Sequence, residues 1–318
     1  MTSTVAILGS GAWGTAMAVL LADRCRAVLW CRSAQRMREI ADRGENSTYL
    51  PGVPLPGSVE LSDLVPPADL YLVAIPTQHI RSTLEGLKLD RSTAAVSLAK
   101  GIEISTLSRP SEILSRWFDR VSALSGPSMA PEVARGLPTS VVVAGADADR
   151  AQRILMGPSF RVYTSRDLIG VELGGALKNV ITLAAGICDG LRLGDNAKAS
   201  LITRGVVEMA RFGASMGAEP QTFFGLAGIG DLITSCTSPL GRNLYVGRQI
   251  GEGRRLEEVL RGMVHVPEGV WTCRAVEELA RKRSIEMPIA AEIFRILYEG
   301  KDPRAAIRDL MTRTPKAE

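Results

Sequence analysis

The chain has 318 residues, 46% of them hydrophobic and 23% charged, a length that allows two domains and a composition able to build large cores. A formal net charge of +4 is too small and too dispersed to argue for nucleic acid, although it suits a small anionic substrate. The five cysteines (25, 31, 188, 236 and 273) form no C-x-x-C pair, which argues against a disulfide framework or a zinc site and fits a reducing compartment.

The chain starts directly in a strand pattern, with no basic-then-apolar leader, and no run approaches the about 18 uninterrupted apolar residues of a bilayer span. A cytoplasmic protein without stable membrane insertion is therefore expected. In the first half, short runs rich in Val, Ile and Leu predict strands over 4–9, 27–31, 70–75, 94–98, 121–125 and 140–144. Several are apolar throughout, as strands covered on both faces are. Amphipathic stretches at 15–24, 34–43 and 111–118 predict helices between them. This alternation reads as an α/β, doubly wound parallel sheet of the Rossmann type. The Pro- and Gly-rich stretch 50–57 predicts a surface loop.

After about residue 166 the strand signal ends, and helical patterns at 168–191, 198–216, 271–283 and 289–298 take over, punctuated by glycines. The expected organisation is a nucleotide-binding domain over 1–166 and an all-helical, substrate-binding domain over 167–318.

The turn Gly9-Ser10-Gly11-Ala12-Trp13-Gly14 follows the first strand and opens the first helix. In that setting Gly9 permits the tight turn, Gly11 lets backbone approach a pyrophosphate, and Gly14 allows the helix to pack closely on the sheet. The bland alternative is a glycine turn that merely joins strand to helix. The second strand ends in Cys31-Arg32-Ser33 and lacks the acid that NAD-specific enzymes use for the ribose 2′-hydroxyl. Arg32 can pair with a 2′-phosphate, which favours NADP over NAD, or it is simply a solvated arginine.

Ketone reduction needs a proton donor. The two histidines, His79 and His265, lie in no polar or glycine-rich motif and read as surface residues. Lysine is the next candidate, because burial and neighbouring positive charge lower its pKa. Lys178 sits in an apolar helical segment with Gly174 four residues earlier on the same face, where glycine lets a ligand approach. That lysine is either the donor or a charge snorkelling from a half-buried helix. Lys100 follows a strand end, where ligands bind in open α/β sheets, or is a solvated loop lysine. Gly126 and Ser128 also follow a strand end and either face substrate or form an ordinary turn. The segment 227–231 reads as a flexible glycine loop in which Asp231 is a site residue or, more commonly, an N-cap. Gly241-Arg242-Asn243 starts a helix and offers a phosphate site, or is a plain surface helix start.

In order along the chain, GSGAWGTA (9–16), LAKGIE (98–103), SGPSMAPE (125–132), GVELGGALKNV (170–180), ITRG (202–205), GIGDLITSC (228–236) and GRN (241–243) resemble NAD(P)-dependent glycerol-3-phosphate dehydrogenase of the bacterial type. The resemblance runs to roughly residue 300. It implies that Lys178 donates and accepts the proton at the substrate C2 oxygen and that Lys100 contacts substrate and cofactor. It places Gly126, Ser128, Asp231, Gly241, Arg242 and Asn243 around the substrate. Cofactor contacts implied are Gly9, Gly11, Trp13, Gly14, Arg32, Lys100, Ala130, Arg242, Val266 and Glu268. Ala12 and Gly241 depart from the family, each replacing a common serine; at 241 only the backbone amide is left to serve.

The expected activity is reversible NAD(P)H-dependent reduction of dihydroxyacetone phosphate to sn-glycerol 3-phosphate, supplying phospholipid synthesis. No metal is expected, the partner is a small phosphorylated substrate, and nothing excludes a homodimer. Two rivals stand beside it: a β-hydroxyacid dehydrogenase on the same fold, needing a carboxylate site, and a non-catalytic nucleotide sensor, which needs only the first domain.

Overall fold

The computed structural model describes residues 3–264 and 267–314, so Val266 and His265 lie outside the described residues. Eight strands form one sheet: β1 (Thr4–Leu8), β2 (Arg26–Trp30), β3 (Glu60–Ser62), β4 (Leu70–Val73), β5 (Ala94–Ser97), β6 (Val121–Ser125), β7 (Thr139–Gly145) and β8 (Phe160–Ser165). Their order is β3-β2-β1-β4-β5-β6-β7-β8. β1, β4 and β5 are buried nearly end to end, since helices cover both faces: α1 (Ala12–Leu21), α2 (Ala34–Arg43), α3 (Ile80–Leu84), α4 (Pro110–Leu114), α5 (Ala130–Ala134) and α6 (Ala148–Leu155).

The strand order reverses at β1, which pairs with β2 through Leu8 and Trp30 and with β4 through Leu8 and Val73. Ligands of open α/β sheets lie at such a switch point, outside the carboxyl ends of the strands. Gly9 stands there with φ +118°, and a Cβ on it would come within 2.8 Å of the Ala74 carbonyl oxygen.

Several features differ from the expected fold, among them β3, which lies in no predicted strand. β6 and β7 pair antiparallel, Leu124 opposite Val143, and β8 then runs parallel to β7. The 126–138 connection holds only the short helix α5, whose Ala130 and Ala134 pack against Ala16 of α1, so the chain never makes the full crossover that a parallel neighbour needs. β8 escapes a search for apolar runs because it is an edge strand, burying Phe160 and Val162 while exposing Arg161 and Tyr163. The helix expected over 111–118 stops at Leu114.

From residue 168 the chain is helical: α7 (Leu168–Gly190), α8 (Asp195–Ser215), α9 (Asp231–Thr237), α10 (Arg242–Gly251), α11 (Leu256–Arg261), α12 (Glu268–Arg283), α13 (Pro288–Tyr298) and α14 (Pro303–Met311). α7 is the axis of this half and is buried continuously from Gly170 to Cys188. By length and a mean hydropathy of 1.4 it has the character of a membrane span, yet 89% of that window is buried inside the protein. Glycines bring α10 against it: a Cβ on Gly247 would stand 2.1 Å from the Leu183 carbonyl oxygen, and one on Gly186 2.3 Å from that of Leu244. Gly174 serves the same end. The space beside it holds the Ala227 carbonyl, 2.6 Å from where a Cβ would be, so the glycine admits backbone rather than the ligand expected there. Residues 226–230 form a wide helical turn with Ala227 and Gly228 buried, packed and not the flexible loop expected.

Candidate active site

The glycine-rich turn fits a dinucleotide on two counts. A Cβ on Gly11 would meet nothing within 4 Å, leaving a cradle open over the turn. Among the described residues no side chain caps α1, which leaves its N-terminal amides available, the arrangement that binds a pyrophosphate. Gly14 is a packing glycine: a Cβ there would overlap the Gly9 carbonyl at 1.9 Å. Trp13 and Ala130 pack together with Leu50 and Val53 beside the turn. Arg32 lies just beyond β2 on the same sheet edge, exposed and without a hydrogen bond or ion pair among the described residues.

Two lysines from different halves of the chain meet at one carboxylate. Lys100 Nζ lies 2.6 Å from Asp231 Oδ2, and Lys178 Nζ lies 3.1 Å from Asp231 Oδ1, with the Asp231 side chain 3% exposed. An ammonium has three donors. Lys100 uses all of them, on Asp231, the Gly126 carbonyl (2.9 Å) and Ser128 Oγ (3.2 Å). Lys178 uses two, on Asp231 and on Ser235 Oγ at 2.5 Å, which leaves one donor without a partner among the described residues.

Burial lowers the Lys178 ammonium to about 8, with Asp231 pulling it up and Lys100 pushing it further down. Burial works the other way on Asp231, but the two ammonium groups outweigh it and hold the carboxyl below its ordinary value. Asp231 is not the N-cap of α9; Gly230 occupies that position, and no side chain caps the helix.

A ring of hydrogen bonds surrounds this centre. Asn179 Nδ2 donates to the Lys100 carbonyl (3.1 Å), Asn243 Nδ2 to Asn179 Oδ1 (2.9 Å), and the Gly269 amide to Asn243 Oδ1 (3.1 Å). Glu268 closes it by accepting the backbone N–H groups of Thr77 (2.6 Å) and Lys100 (3.3 Å). Asn243 therefore faces the site with its amide orientation set by Asn179 and Gly269. Arg242, beside it at the start of α10, is exposed and makes no hydrogen bond among the described residues. Desolvation lowers its pKa against the pull of Glu268. The Gly241 amide does not serve as expected: it donates to the Ser238 carbonyl at 3.1 Å, and a Cβ at 241 would crowd the Ser235 carbonyl at 2.9 Å.

The lysines, Asp231, Gly126, Ser128, Asn243 and Glu268 are thus brought together, while His79 is exposed and stands apart from this network. Sequence reading missed Ser235, Asn179 and Thr77. Ser235 lies four residues after Asp231 on α9, and that helical spacing is the signal that places both on one face. Among the described residues there is no cluster of three metal-ligating side chains.

Residues 4–151 match the N-terminal model of NAD-dependent glycerol-3-phosphate dehydrogenase, and residues 167–308 match its C-terminal model. A curated relative from Moorella thermoacetica, named glycerol-3-phosphate dehydrogenase [NAD(P)+], is 49% identical over 98% of this chain and 97% of its own length. The chain belongs to the NAD-dependent glycerol-3-phosphate dehydrogenase family. The crystal structure of a glycerol-3-phosphate dehydrogenase from Coxiella burnetii superposes with a TM-score of 0.92 at 35% identity, covering 98% of this chain and 99% of that one. The glycerol-3-phosphate dehydrogenase of Plasmodium falciparum superposes with a TM-score of 0.88 at 30% identity, over 99% and 97% of the two chains. Both halves of the family's pattern are present in order. Lys100, Gly126 and Ser128 fall in its N-terminal part; Lys178, Asp231, Arg242, Asn243 and Glu268 fall in its C-terminal part.

Proposed function

We propose that this protein catalyses the reversible reduction of dihydroxyacetone phosphate to sn-glycerol 3-phosphate with NAD(P)H, with Lys178 as the proton donor. The observation that carries this reading is the third donor of Lys178, which has no partner among the described residues, on an ammonium whose pKa of about 8 lets it release and regain a proton near neutral pH. When bound, the nicotinamide supplies the hydride for reduction and takes it up in the reverse direction.

Lys178 gives its proton from Nζ to the oxygen developing at C2. Asp231 stabilises the ammonium before transfer, and Lys100, held on Gly126 and Ser128, adds positive charge beside the developing alkoxide. In the reverse reaction neutral Lys178 accepts the hydroxyl proton. Arg242, Asn243 and the uncapped N-terminus of α10 hold the substrate phosphate. Gly9, Gly11 and Gly14 would hold the cofactor, with Trp13 and Ala130 beside it, and Arg32 would meet the 2′-phosphate of NADP. Residues 1–166 serve mainly the cofactor and 167–318 mainly the substrate, with Lys100, Gly126 and Ser128 of the first part reaching the substrate site. Five unpaired cysteines support a cytoplasmic enzyme, one that supplies the glycerol backbone of phospholipids.

The test is NADPH and NADH oxidation by the purified protein with dihydroxyacetone phosphate, with unphosphorylated dihydroxyacetone, and with carboxylated ketones. Turnover confined to the phosphorylated ketone is expected. Preference for a carboxylated ketone points to the hydroxyacid rival, and absence of any substrate-dependent oxidation to a nucleotide sensor.

A further inference from the structure

We propose that Asn46 is the positioning residue of the dinucleotide turn and that Arg36 sets the direction in which its amide points. The proposal rests on the cofactor lying over Gly9–Gly14.

Asn46 lies in the segment after α2, far in sequence from the turn, yet it is fully buried. Its Nδ2 donates to the Ser10 carbonyl at 2.8 Å and to Thr15 Oγ1 at 2.7 Å. One side chain thereby ties the middle of the turn to the first turns of α1. Its Oδ1 accepts from the Arg36 guanidinium and from the Tyr49 amide at 3.3 Å. All of the polar capacity of a buried amide is in use, as burial demands.

The consequence for the cofactor follows from peptide geometry. In a trans peptide the carbonyl and the next N–H point in opposite directions. Holding the Ser10 carbonyl therefore turns the Gly11 N–H away from Asn46, and that N–H has no acceptor among the described residues. It joins the uncapped amides of α1 as a donor for a bridging phosphate. With its carbonyl released, the Ser10–Gly11 peptide is free to rotate and to present an oxygen to the anion instead.

Arg36 decides which way the Asn46 amide faces. A guanidinium offers only donors, so Oδ1 must face it and Nδ2 must face Ser10. Arg36 is itself fixed by Thr48 Oγ1 (3.0 Å), by Glu39 (3.1 Å) and by the Tyr49 ring 4.9 Å from its Cζ. Both terminal nitrogens of Arg36 are engaged in this scaffold, and the exposed Arg32 is the cation proposed for a 2′-phosphate.

Calorimetric titration of the apo protein with NADPH and with NADH separates these roles. Asn46→Asp keeps the acceptor for Arg36 and Tyr49 and removes both donors. It is expected to raise the two dissociation constants by the same factor, about tenfold or more, because the pyrophosphate is common to both. The KM for dihydroxyacetone phosphate at saturating cofactor should stay within about twofold of wild type, and a thermal unfolding midpoint close to that of wild type separates weakened cofactor binding from general unfolding. Arg36→Met, at a partly exposed residue, is the second variant and should weaken both cofactors alike. Unchanged dissociation constants in a folded Asn46→Asp protein overturn the proposal. Loss of NADPH alone in Arg36→Met does so too, since it would assign Arg36 to the 2′-phosphate. Failure of the wild-type protein to bind either nucleotide would instead count against the cofactor site itself.

Discussion

Asp231 and Lys178 meet at 3.1 Å inside the protein, and the same carboxylate holds Lys100 through its other oxygen at 2.6 Å. One negative charge thus serves two positive ones, which is why neither lysine is fully neutralised. Burial tips Lys178 toward its neutral form while Asp231 keeps the charged form accessible. A proton held near the midpoint of its titration is what a reversible donor requires.

Lys178→Ala removes that proton. The kcat for ketone reduction is expected to fall about 10²–10⁴-fold, the usual contribution of a positioned acid. Cofactor binding by calorimetry should persist, because the glycine turn lies on the other half of the chain. In the wild-type enzyme, kcat/KM for reduction should decline above pH about 8, while that for oxidation rises toward a plateau above it. Near-normal kcat in the Ala variant would remove Lys178 from the chemistry.

Asp231→Asn separates the two influences on that pKa. The carboxylate raises the Lys178 pKa, whereas burial and Lys100 lower it. Without the charge, burial and Lys100 outweigh the weaker upward pull of Cys236, and the alkaline limb of the reduction profile should move to lower pH. A buried ion pair that loses one partner also costs stability, about 3–5 kcal/mol, which thermal unfolding will register. A limb that stays in place would show that Lys178 does not set it.

Arg32→Ala is expected to weaken NADPH binding by about tenfold or more and leave NADH nearly unchanged, since a charge-assisted contact to the 2′-phosphate is lost only in the former. Titration with both nucleotides measures the difference directly. Equal losses would place the cation for that phosphate elsewhere.

The parts of this enzyme that were legible in the sequence are those written in local order. Gly9-x-Gly11-x-x-Gly14 follows a strand and opens a helix within a few residues, and α2 starts and stops where its cap Ser33 and the left-handed Gly44 say it should. The long helix around Lys178 was equally plain from its apolar pattern, although its complete burial was not. What stayed hidden depends on pairs far apart in the chain. Gly174 invites a ligand on paper, but only the fold shows that the Ala227 carbonyl takes the space. Gly241 seemed to offer a free amide until Ser238 proved to accept it. Asn46 carries no motif, and its importance comes from meeting Ser10 across 36 positions. The antiparallel β6–β7 pairing likewise reflects where α5 docks on α1, a tertiary choice that no period of hydrophobic residues encodes.

Glu208 offers a test of stability away from the site. This buried carboxyl on α8 accepts the Ile289 amide at 2.7 Å and the Ala290 amide at 3.3 Å, at the N-terminus of α13. Burial pushes its pKa from 4.5 up to about 7, while the two amides and the charges of Arg211 and Arg313 pull the other way. A raised carboxyl pKa means that the folded chain binds a proton more tightly than the unfolded one. Its contribution to stability is complete below pH 4.5 and is lost as pH rises through about 7. The loss across that window is on the order of 3 kcal/mol. Glu208→Gln cannot titrate, so the difference in unfolding free energy between wild type and variant should shift in favour of the variant as pH rises from about 5 to about 7. Urea unfolding at closely spaced pH values measures that difference. A difference that does not change with pH would mean that the Glu208 carboxyl titrates alike in the folded and unfolded chains, and the packing of α13 on α8 would then owe nothing to its protonation.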